Sequence, residues 1–518
     1  MKKKLRSMLR IVFGRTAFMI LFVILQLAFF FGIIHWVSTE YSLIFYAGLH
    51  LLGALTCVYI YNKPENPSFK LSWIIPVLAF PVFGTLLYLY VELEITGRII
   101  SKRANRLVQE SRVYLKQNQE MLAHLNKEDE RLGGLVNYVS QFGGFPIYEN
   151  FTAEYFPSGE QKFERLKEEL EKARKFIFME YFIVEQGVMW DSILEILERK
   201  VKEGVEVRFM YDGMCSMALL PYHYPKELEA KGIHCHAFAP IKPALSTYQN
   251  NRDHRKIVVI DGHTAFTGGV NLADEYINVK ERFGYWKDVA VMIKGEAVKN
   301  FTIMFLQLWN IWEKAPVDYE KYLNQELQPQ IPGRKSEGFV LPYGDSPLDH
   351  EPVGKMVYLD ILNTATKYVH IMTPYLILDD ETINALRYAA KRGVDVKIIM
   401  PDIPDKKYAF LLAHTYYLEL MDAGVQIYQF KPGFVHAKVF TSDDTKAVVG
   451  SINLDFRSLY HHFECAAFMY KNQVVEDVEA DFQSTLEKCR RIGPEEIMNA
   501  PLWKKLAGTI LKLIAPMM

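Results

Sequence analysis

Two stretches decide the fold of this chain: HRKIVVIDGHTAFTGGVN at residues 254–271 and HAKVFTSDDTKAVVGSIN at residues 436–453. Both follow the pattern His-x-Lys-x4-Asp-x6-Gly-(Gly/Ser)-x-Asn with identical internal spacing. Because strand side chains alternate between two faces, the His and the Lys two positions later project from the same side of the chain. The apolar residues that follow each Lys predict a buried strand.

The sequence around the two motifs is repeated as well. KEGVEVR (202–208) corresponds to KRGVDVK (391–397), and LEAKGIHCHAF (228–238) corresponds to LMDAGVQIYQF (420–430). Short β-branched or aromatic runs alternate with amphipathic helical segments, which is typical of α/β units with a mainly parallel sheet. We therefore predict two duplicated α/β halves, residues 151–330 and 338–500, which the proline-bearing stretch 315–338 joins.

Each half offers one imidazole, whereas a two-step displacement at phosphorus needs two groups: one attacks, and one protonates the leaving alkoxide. Packing the halves about a pseudo-twofold axis would bring both imidazoles into one pocket. The small residues would let backbone N–H groups approach an anion, and the asparagines would add donors. The catalytic candidates are His254, Lys256, His436 and Lys438, and the phosphate-binding candidates are Asn271, Asn453, Gly269 and Ser451.

The motif aspartates Asp261 and Asp443 are grouped with the catalytic candidates because they complete the pattern. Their position past the end of each strand nevertheless favours a structural role, in which they brace the following loop through backbone hydrogen bonds.

Composition excludes several classes of protein. Half of the 518 residues are hydrophobic and 23% are charged, so the chain is neither disordered nor short of core. Residues 1–106 contain only 4 of the 61 acidic residues but 12 of the 60 basic ones. The remaining 412 residues therefore have a formal net charge of about −9. That sign disfavours nucleic acid as a partner. The five cysteines lack disulfide or zinc spacing, and since the lysines supply positive charge we expect no metal or other cofactor.

Residues 1–97 are predicted to be membrane segments, with candidate spans at 16–37, 42–61 and 71–91. The first has no charged residue and follows six Lys or Arg, and it is too long for a signal-peptide core. The third contains Pro76, Pro81 and Gly84, so a kinked or re-entrant form is an alternative. Basic clusters at both ends leave two or three spans open. We predict a multi-pass protein of a bacterial cell membrane.

Two further segments are polar or amphipathic. Residues 98–150 are predicted to form a polar helical connector. Residues 501–518 place Trp503 and three lysines beside a Leu/Ile face, which is typical of an amphipathic helix. Such a helix lies in a membrane interface or packs on its own domain, and the sequence does not distinguish these.

The paired motifs resemble the HxKxxxxD motifs of the phospholipase D superfamily, and the chain is more narrowly similar to bacterial cardiolipin synthases. The resemblance extends over roughly residues 42–518. Two positions depart from the family pattern: Ser216 ends a modified Asp-x-x-Gly-Ser motif, and His462 stands where many members have Asn. The segments that carry the resemblance are NRDHRKIVVIDG (251–262), AFTGGVNLADEYIN (265–278), YWKD (285–288), GFVHAK (433–438) and NLDFRS (453–458).

The resemblance implies that a phosphatidyl group passes from one phosphatidylglycerol to another through a phosphatidyl-histidine. His254 would be the nucleophile and His436 the acid and base. Asp288 and Glu464 match the family's paired acids and are expected to hold the histidine tautomers, although a structural ion pair is the alternative. The expected partners are phosphatidylglycerol and anionic membrane lipid. A membrane-bound hydrolase of the same superfamily and a non-catalytic scaffold stay open, and no local residue separates the hydrolase from the transferase.

Overall fold

The computed structural model describes residues 39–92, 95–216, 219–221, 223–239, 250–323 and 337–517. The chain divides into two compact units. The smaller consists of residues 1–99, 241–250 and 512–518, and the larger consists of residues 100–240 and 251–511.

The described residues of the smaller unit include the helices α1 (Thr39–Tyr61), α2 (Pro67–Ala79) and α3 (Pro81–Glu92). The Asn66 side chain caps α2 by accepting a hydrogen bond from the N–H of Ser68 at 2.9 Å. Ile60, Val77 and Tyr88 form a small core, one residue from each helix. Gly84 permits the contact of α3 with α2, because a Cβ there would lie 2.5 Å from the carbonyl oxygen of Pro76.

The predicted membrane spans are not confirmed. Among the described residues, no helix combines the length and the apolar character that a bilayer crossing requires. Segment 42–61 lies within α1. Segment 71–91 is divided into two helices, because α2 ends at Ala79 and α3 begins at Pro81, which agrees with the kinked form given as an alternative. Segment 16–37 lies outside the described residues.

The polar stretch before the first sheet is largely helical. Asn118 and Asp129 cap the second and third helices by accepting hydrogen bonds from backbone N–H groups. A π-helical turn at Val139–Gly143 then ends at Gly144, which has a φ of 79°. The helices are α4 (Ile95–Ser111), α5 (Gln119–Glu128) and α6 (Glu130–Tyr138).

The first half is a seven-stranded sheet with helices packed on it, in the strand order β1-β9-β7-β6-β2-β3-β4. Its strands are β1 (Phe151–Phe156), β2 (Phe176–Tyr181), β3 (Glu206–Asp212), β4 (His234–Phe238), β5 (Arg252–Asp253), β6 (Ile257–Ile260), β7 (Thr264–Gly268), β8 (Tyr285–Lys287) and β9 (Ala290–Gly295). Its helices are α7 (Gly159–Glu171), α8 (Val188–Lys202), α9 (Gly213–Ser216), α10 (Tyr224–Ala230), α11 (Val298–Asn310) and α12 (Glu320–Leu323).

The second half is built in the same way, in the strand order β10-β17-β16-β15-β11-β12-β13-β18. Its strands are β10 (Phe339–Asp345), β11 (Tyr368–Met372), β12 (Asp395–Pro401), β13 (Gln426–Phe430), β14 (Gly433–Val435), β15 (Val439–Ser442), β16 (Lys446–Gly450), β17 (His462–Tyr470) and β18 (Cys489–Arg491). Its helices are α13 (Val353–Thr364), α14 (Asp380–Lys391), α15 (Lys407–Asp422), α16 (Phe456–Tyr460), α17 (Gln473–Leu486) and α18 (Pro494–Met498); α19 (Leu502–Ile514) follows.

The two strand orders coincide once β1 is matched to β10, β2 to β11 and β9 to β17, which confirms the duplicated α/β halves. The expectation of mainly parallel sheets is wrong. Within these two strand orders, only β2-β3-β4 and β11-β12-β13 pair in parallel, and the other neighbours are antiparallel. The reason is local: the motif strands β6 and β15 are followed by tight turns, which make antiparallel hairpins with β7 and β16.

Short strands link the halves reciprocally. β5 of the first half pairs in parallel with β17 of the second, and β14 of the second half pairs in parallel with β8 of the first. Each of β5 and β14 directly precedes a motif histidine. The linkage therefore carries each motif to the edge of the opposite half.

Candidate active site

Both motif histidines lie in the short connection between an inter-half strand and a sheet strand. His254 follows β5 and precedes β6, and His436 follows β14 and precedes β15. The N–H of His254 donates to the Phe463 carbonyl at 3.0 Å, and the N–H of His436 donates to the Lys287 carbonyl at 2.7 Å. Each histidine backbone is thus held by the opposite half, at the residue just before an acid.

The acids bind the histidines across the halves. His254 Nδ1 lies 2.8 and 3.0 Å from the two carboxylate oxygens of Glu464, and His436 Nδ1 lies 2.6 Å from Asp288 Oδ2. All four side chains are buried. A carboxylate at Nδ1 holds the proton there and leaves Nε2 with its lone pair. The expectation that both acids contact histidines agrees with these distances, and the pairing crosses between the halves.

The two lysines are buried beside their own histidines. Lys256 and Lys438 each donate to the backbone carbonyl of the histidine two residues earlier. Lys438 Nζ also lies 2.8 Å from His436 Nδ1, an atom that cannot accept from the lysine while it donates to Asp288. The shorter contact with Asp288 favours the donating state. Burial lowers the pKa of Lys256, and it lowers the pKa of Lys438 to about 7.

Burial and positive neighbours keep both imidazoles neutral. The pKa of His254 is well below its usual value, first because of burial and then because of the charges of Lys256, Lys438 and His436. Burial and the charge of Lys438 lower the pKa of His436 to about 4. Because each motif's charges act on the histidine of the other, the two motifs share one electrostatic site. It offers two uncharged imidazoles next to two ammonium groups, which suits an anionic substrate.

The motif aspartates contact backbone N–H groups, and a catalytic role for them stays a prediction. Asp261 accepts hydrogen bonds from the N–H groups of residues 174, 175 and 176 at 2.7–2.9 Å, and Asp443 accepts those of residues 366, 367 and 368 at 2.6–2.9 Å. Both adopt a left-handed conformation, with φ of 51° and 56°. They brace the start of β2 and β11, which is the structural role that the sequence favoured.

Gly269 and Ser451 lie behind the acids. The Ser451 hydroxyl donates to Glu464, and a Cβ at Gly269 would lie 2.0 Å from Asp288 Oδ1. Both residues were expected to bind phosphate. Their contacts instead support the carboxylates that hold the histidines, since one position supplies a hydroxyl and the other supplies space for the acid.

The two asparagines differ in how their amides are engaged. Asn271 accepts from the N–H of Ile183 at 3.0 Å and donates to the Tyr276 hydroxyl at 2.8 Å. Asn453 is also buried, but its Oδ1 has no hydrogen-bond partner among the described residues. Phosphate binding by either stays a prediction, and Asn453 has the less engaged amide.

His462 and Trp286 occupy equivalent positions, two residues before Glu464 and Asp288. The ring of His462 lies 5.4 Å from that of His254, and the ring of Trp286 lies 5.4 Å from that of His436. Neither ring nitrogen of His462 has a hydrogen-bond partner among the described residues. Potential ligand atoms of His254, His462 and Glu464 lie within 4.8 Å of one another, so this trio has the donor types for a metal ion. The sequence predicted no metal ligand.

The charged residues that flank His254 form a buried network that the sequence analysis missed. Arg255 Nε donates to Glu180 at 2.6 Å, and Arg252 Nη1 lies 3.3 Å from Asp212. Burial raises the pKa of Asp253 well above its usual value, and nearby Glu180 raises it further. The signal was the alternation in Arg252–Lys256, which places every second charge on the side of the strand away from the site.

The chain is similar to known proteins that contain the same paired motifs. The family model described as "Cardiolipin synthase, PLD-like domain" matches residues 166–309 and 358–486, one segment in each half. A second model, "Phospholipase_D-nuclease N-terminal", matches residues 49–91. A cardiolipin synthase of Alkalihalophilus pseudofirmus is 32% identical over 93% of this chain and 95% of that protein. The chain belongs to the cardiolipin synthase family of phospholipase D-like proteins. The predicted resemblance and the phosphatidyltransferase class are confirmed by this membership.

Other similarities agree with the family. Cardiolipin synthase 2 of Bacillus anthracis is 32% identical over 89% of each chain, and an uncharacterized protein of Streptococcus mutans is 52% identical over 89% of this chain and 99% of that one. Among solved structures, a phosphatidylserine synthase of Haemophilus influenzae matches 74% of this chain and 100% of its own, with a TM-score of 0.55 and 15% identity. That last likeness supports the fold.

Proposed function

We propose that this protein synthesises cardiolipin by transferring a phosphatidyl group between two molecules of phosphatidylglycerol. Its family and its curated relatives support the reaction class. The observation that carries the mechanism is the reciprocal pairing of His254 with Glu464 and of His436 with Asp288. Because both Nδ1 atoms bind carboxylates, the Nε2 atom of each histidine is available to react at the same phosphorus.

In the first step, the lone pair of His254 Nε2 attacks the phosphorus of one phosphatidylglycerol. The bond between phosphorus and the glycerol oxygen breaks, and protonated His436 gives its Nε2 proton to that oxygen. Glycerol leaves, and the phosphatidyl group stays on His254. The phosphate charge would raise the pKa of His436 from its low value in the empty site, which favours the protonated form that this step needs.

In the second step, the now neutral His436 removes the proton from the terminal hydroxyl of another phosphatidylglycerol. The resulting oxygen attacks phosphorus, the phosphorus–nitrogen bond breaks, and cardiolipin forms while His254 returns to its neutral state. Lys256 and Lys438 would stabilise the negative charge on the non-bridging oxygens, and in such a buried site each is worth a few kcal/mol. Asn453 is the better placed of the two asparagines to add a donor. No step uses a metal ion.

We also place the protein at a bacterial membrane, since both substrates are phospholipids and the segment at 16–37 has the length and flanking charge of a membrane span. We propose that the chain crosses this membrane two or three times. Binding of intact phosphatidylglycerol to a buried site requires that the lipid headgroup leave the bilayer plane or that the site lie against it.

The experiment is to incubate purified full-length protein with phosphatidylglycerol labelled in the headgroup glycerol and to separate the lipids and free glycerol. The proposal predicts one labelled glycerol released for each cardiolipin formed. Phosphatidic acid without cardiolipin would contradict transfer and identify a hydrolase. Lipid binding without any product would identify a scaffold. The His254→Ala variant is the control for contaminating activity.

A further inference from the structure

Helix α19 (Leu502–Ile514) carries an exposed apolar face. Leu502, Trp503, Leu506 and Ile510 are exposed by 80, 62, 60 and 56%. These residues recur at helical spacing, so their side chains form one stripe. Large apolar side chains that cluster on a surface mark an interaction site more often than scattered ones do.

The opposite side of α19 is attached to the second half. Gly508 packs on α15, where a Cβ at position 508 would lie 2.6 Å from Thr415 Cγ2 and 3.2 Å from the Leu411 carbonyl oxygen. A larger residue could not approach this closely. The side of α19 that carries Gly508 therefore packs on α15, and the exposed apolar stripe lies on the other side of the helix.

Helix α15 connects α19 with the catalytic pocket. Tyr408, Leu411 and Thr415 lie three and four residues apart, so Tyr408 continues the side of α15 that contacts Gly508 toward its first turn. Tyr408 and nearby Ile403 are both partly exposed. Lys406, which precedes the helix, is close enough to His254 for its charge to lower the pKa of that histidine. Helix α15 therefore reaches from its contact with Gly508 toward the neighbourhood of His254.

The charge of α19 selects among possible occupants. Its sequence, LWKKLAGTILKLI, contains three lysines and no acidic residue. Lysine and tryptophan beside a Leu/Ile face suit the boundary between acyl chains and anionic headgroups, where lysine keeps its ammonium in water. A protein partner would need acidic residues around an apolar groove. An anionic bilayer has negatively charged headgroups next to apolar acyl chains over its whole surface.

We propose that the exposed face of α19 is a docking surface for an anionic phospholipid bilayer. Docking brings the pocket next to headgroups, so a substrate lipid reaches His254 without crossing water. The expected effect on turnover rests on the proposed function. Binding of the surface to lipid does not, because it is measurable without any reaction.

The test uses the full-length protein with the double substitution Leu506→Glu and Ile510→Glu. The control is Val188→Glu, because Val188 is an apolar residue of similar exposure (54%) at the start of α8. Turnover is measured with phosphatidylglycerol in bilayer nanodiscs and with short-chain phosphatidylglycerol as soluble monomers. Hydrogen–deuterium exchange of residues 502–514 is followed in nanodiscs of phosphatidylcholine with and without phosphatidylglycerol.

We expect the double variant to lose roughly tenfold or more of its turnover on bilayers, since a buried carboxylate opposes interfacial insertion. Its turnover of the monomeric substrate should stay within about twofold of the unsubstituted protein, as a site that remains folded requires. The control should match the unsubstituted protein on both. Exchange in α19 should slow when phosphatidylglycerol is present, and less so in the double variant.

Equal turnover of the double variant and the control on bilayers would overturn the proposal. Hydrogen–deuterium exchange of residues 502–514 that is the same with and without phosphatidylglycerol would also overturn it. If the double substitution instead converted a dimer to a monomer in detergent, the face would be a contact between copies of this chain, and the bilayer proposal would be wrong. An unsubstituted protein that turns over neither substrate but shows lipid-dependent protection of α19 would contradict the proposed function alone.

Discussion

The two halves of the molecule share a strand order but surround their histidines differently. His254 is held by both oxygens of Glu464, which Ser451 supports with a hydroxyl, and it lies beside His462 and Phe182. His436 is held by one oxygen of Asp288 and lies beside Trp286, Tyr276 and Phe434. Duplication therefore supplied the same framework twice, and later substitutions made the two imidazoles unequal. Because each acid comes from the opposite half, neither half contains a complete site.

The largest expected effect comes from removing either imidazole. His254→Ala and His436→Ala should each reduce cardiolipin formation by more than about 10⁴-fold, because one residue carries the phosphatidyl group and the other moves the proton. The double variant should be no worse than the single ones, since the two act as a unit. The measurement is turnover of labelled phosphatidylglycerol. A substantially active single variant would contradict the two-histidine mechanism.

Substitution of the acids should cost somewhat less. Glu464→Gln and Asp288→Asn keep the shape of the side chain but remove the charge that fixes each Nδ1 proton, and we expect losses of roughly 10²- to 10⁴-fold in kcat. Ser451→Gly makes the Glu464 support resemble that of Asp288 and should cost about tenfold or less, because the Glu464 carboxylate loses its hydrogen bond from the hydroxyl but keeps His254. Melting temperatures near that of the unsubstituted protein are the control for folding.

The pH dependence of kcat/KM should reveal the loss of the positive charge of Lys438. Burial lowers its pKa to about 7, so in the free protein the ammonium is progressively lost as the pH rises through that value. Because the first step needs protonated His436, whose pKa in the free protein is about 4, kcat/KM already declines above that pH, and we expect the loss of the Lys438 ammonium to add a second, steeper limb above about pH 7. In Lys438→Arg the guanidinium stays charged, so this limb should disappear even if the absolute rate is lower. An unchanged alkaline limb in Lys438→Arg would assign the limb to another group.

The smallest effect on catalysis is expected at the bracing aspartates. Asp261→Asn and Asp443→Asn should each lower the free energy of unfolding by about 1–3 kcal/mol, because an amide oxygen replaces a carboxylate that accepts several backbone N–H groups. Burial alone would raise the pKa of Asp443, but its backbone hydrogen bonds lower it overall. Its contribution is therefore present above the pKa of the unfolded chain and is lost as the pH falls through the folded value. Urea unfolding at two pH values measures both effects, and Asp444→Asn at the neighbouring position is the control.

Much of the site could be predicted from the sequence because its motifs are local. The spacing of His254 and Lys256 places both directly before the buried strand β6, and the position of Asp261 past that strand indicates a bracing role. The pairing of Asp288 and Glu464 could not be assigned, since spacing along the chain does not say which half a strand end will meet. That choice is made by the inter-half pairing of β5 with β17 and of β14 with β8.

The errors in the prediction have physical causes too. Alternating strands and helices suggested parallel sheets, but the short turns after Asp261 and Asp443 force antiparallel hairpins. Phosphate binding by Gly269 and Ser451 stays a prediction, and the sequence did not reveal that the first leaves room for Asp288 and the second holds Glu464.

The central claim, that each histidine depends on the acid of the opposite half, is tested most directly by a rapid-mixing burst with a phosphatidyl ester of p-nitrophenol. This leaving group needs no general acid, so formation of the adduct depends on the nucleophile alone. We predict that Asp288→Asn shows a normal burst and accumulates a phosphatidyl adduct, which mass spectrometry maps to His254, while Glu464→Gln shows no burst. A burst in Glu464→Gln and none in Asp288→Asn, with the adduct still on His254, would contradict the cross-half pairing.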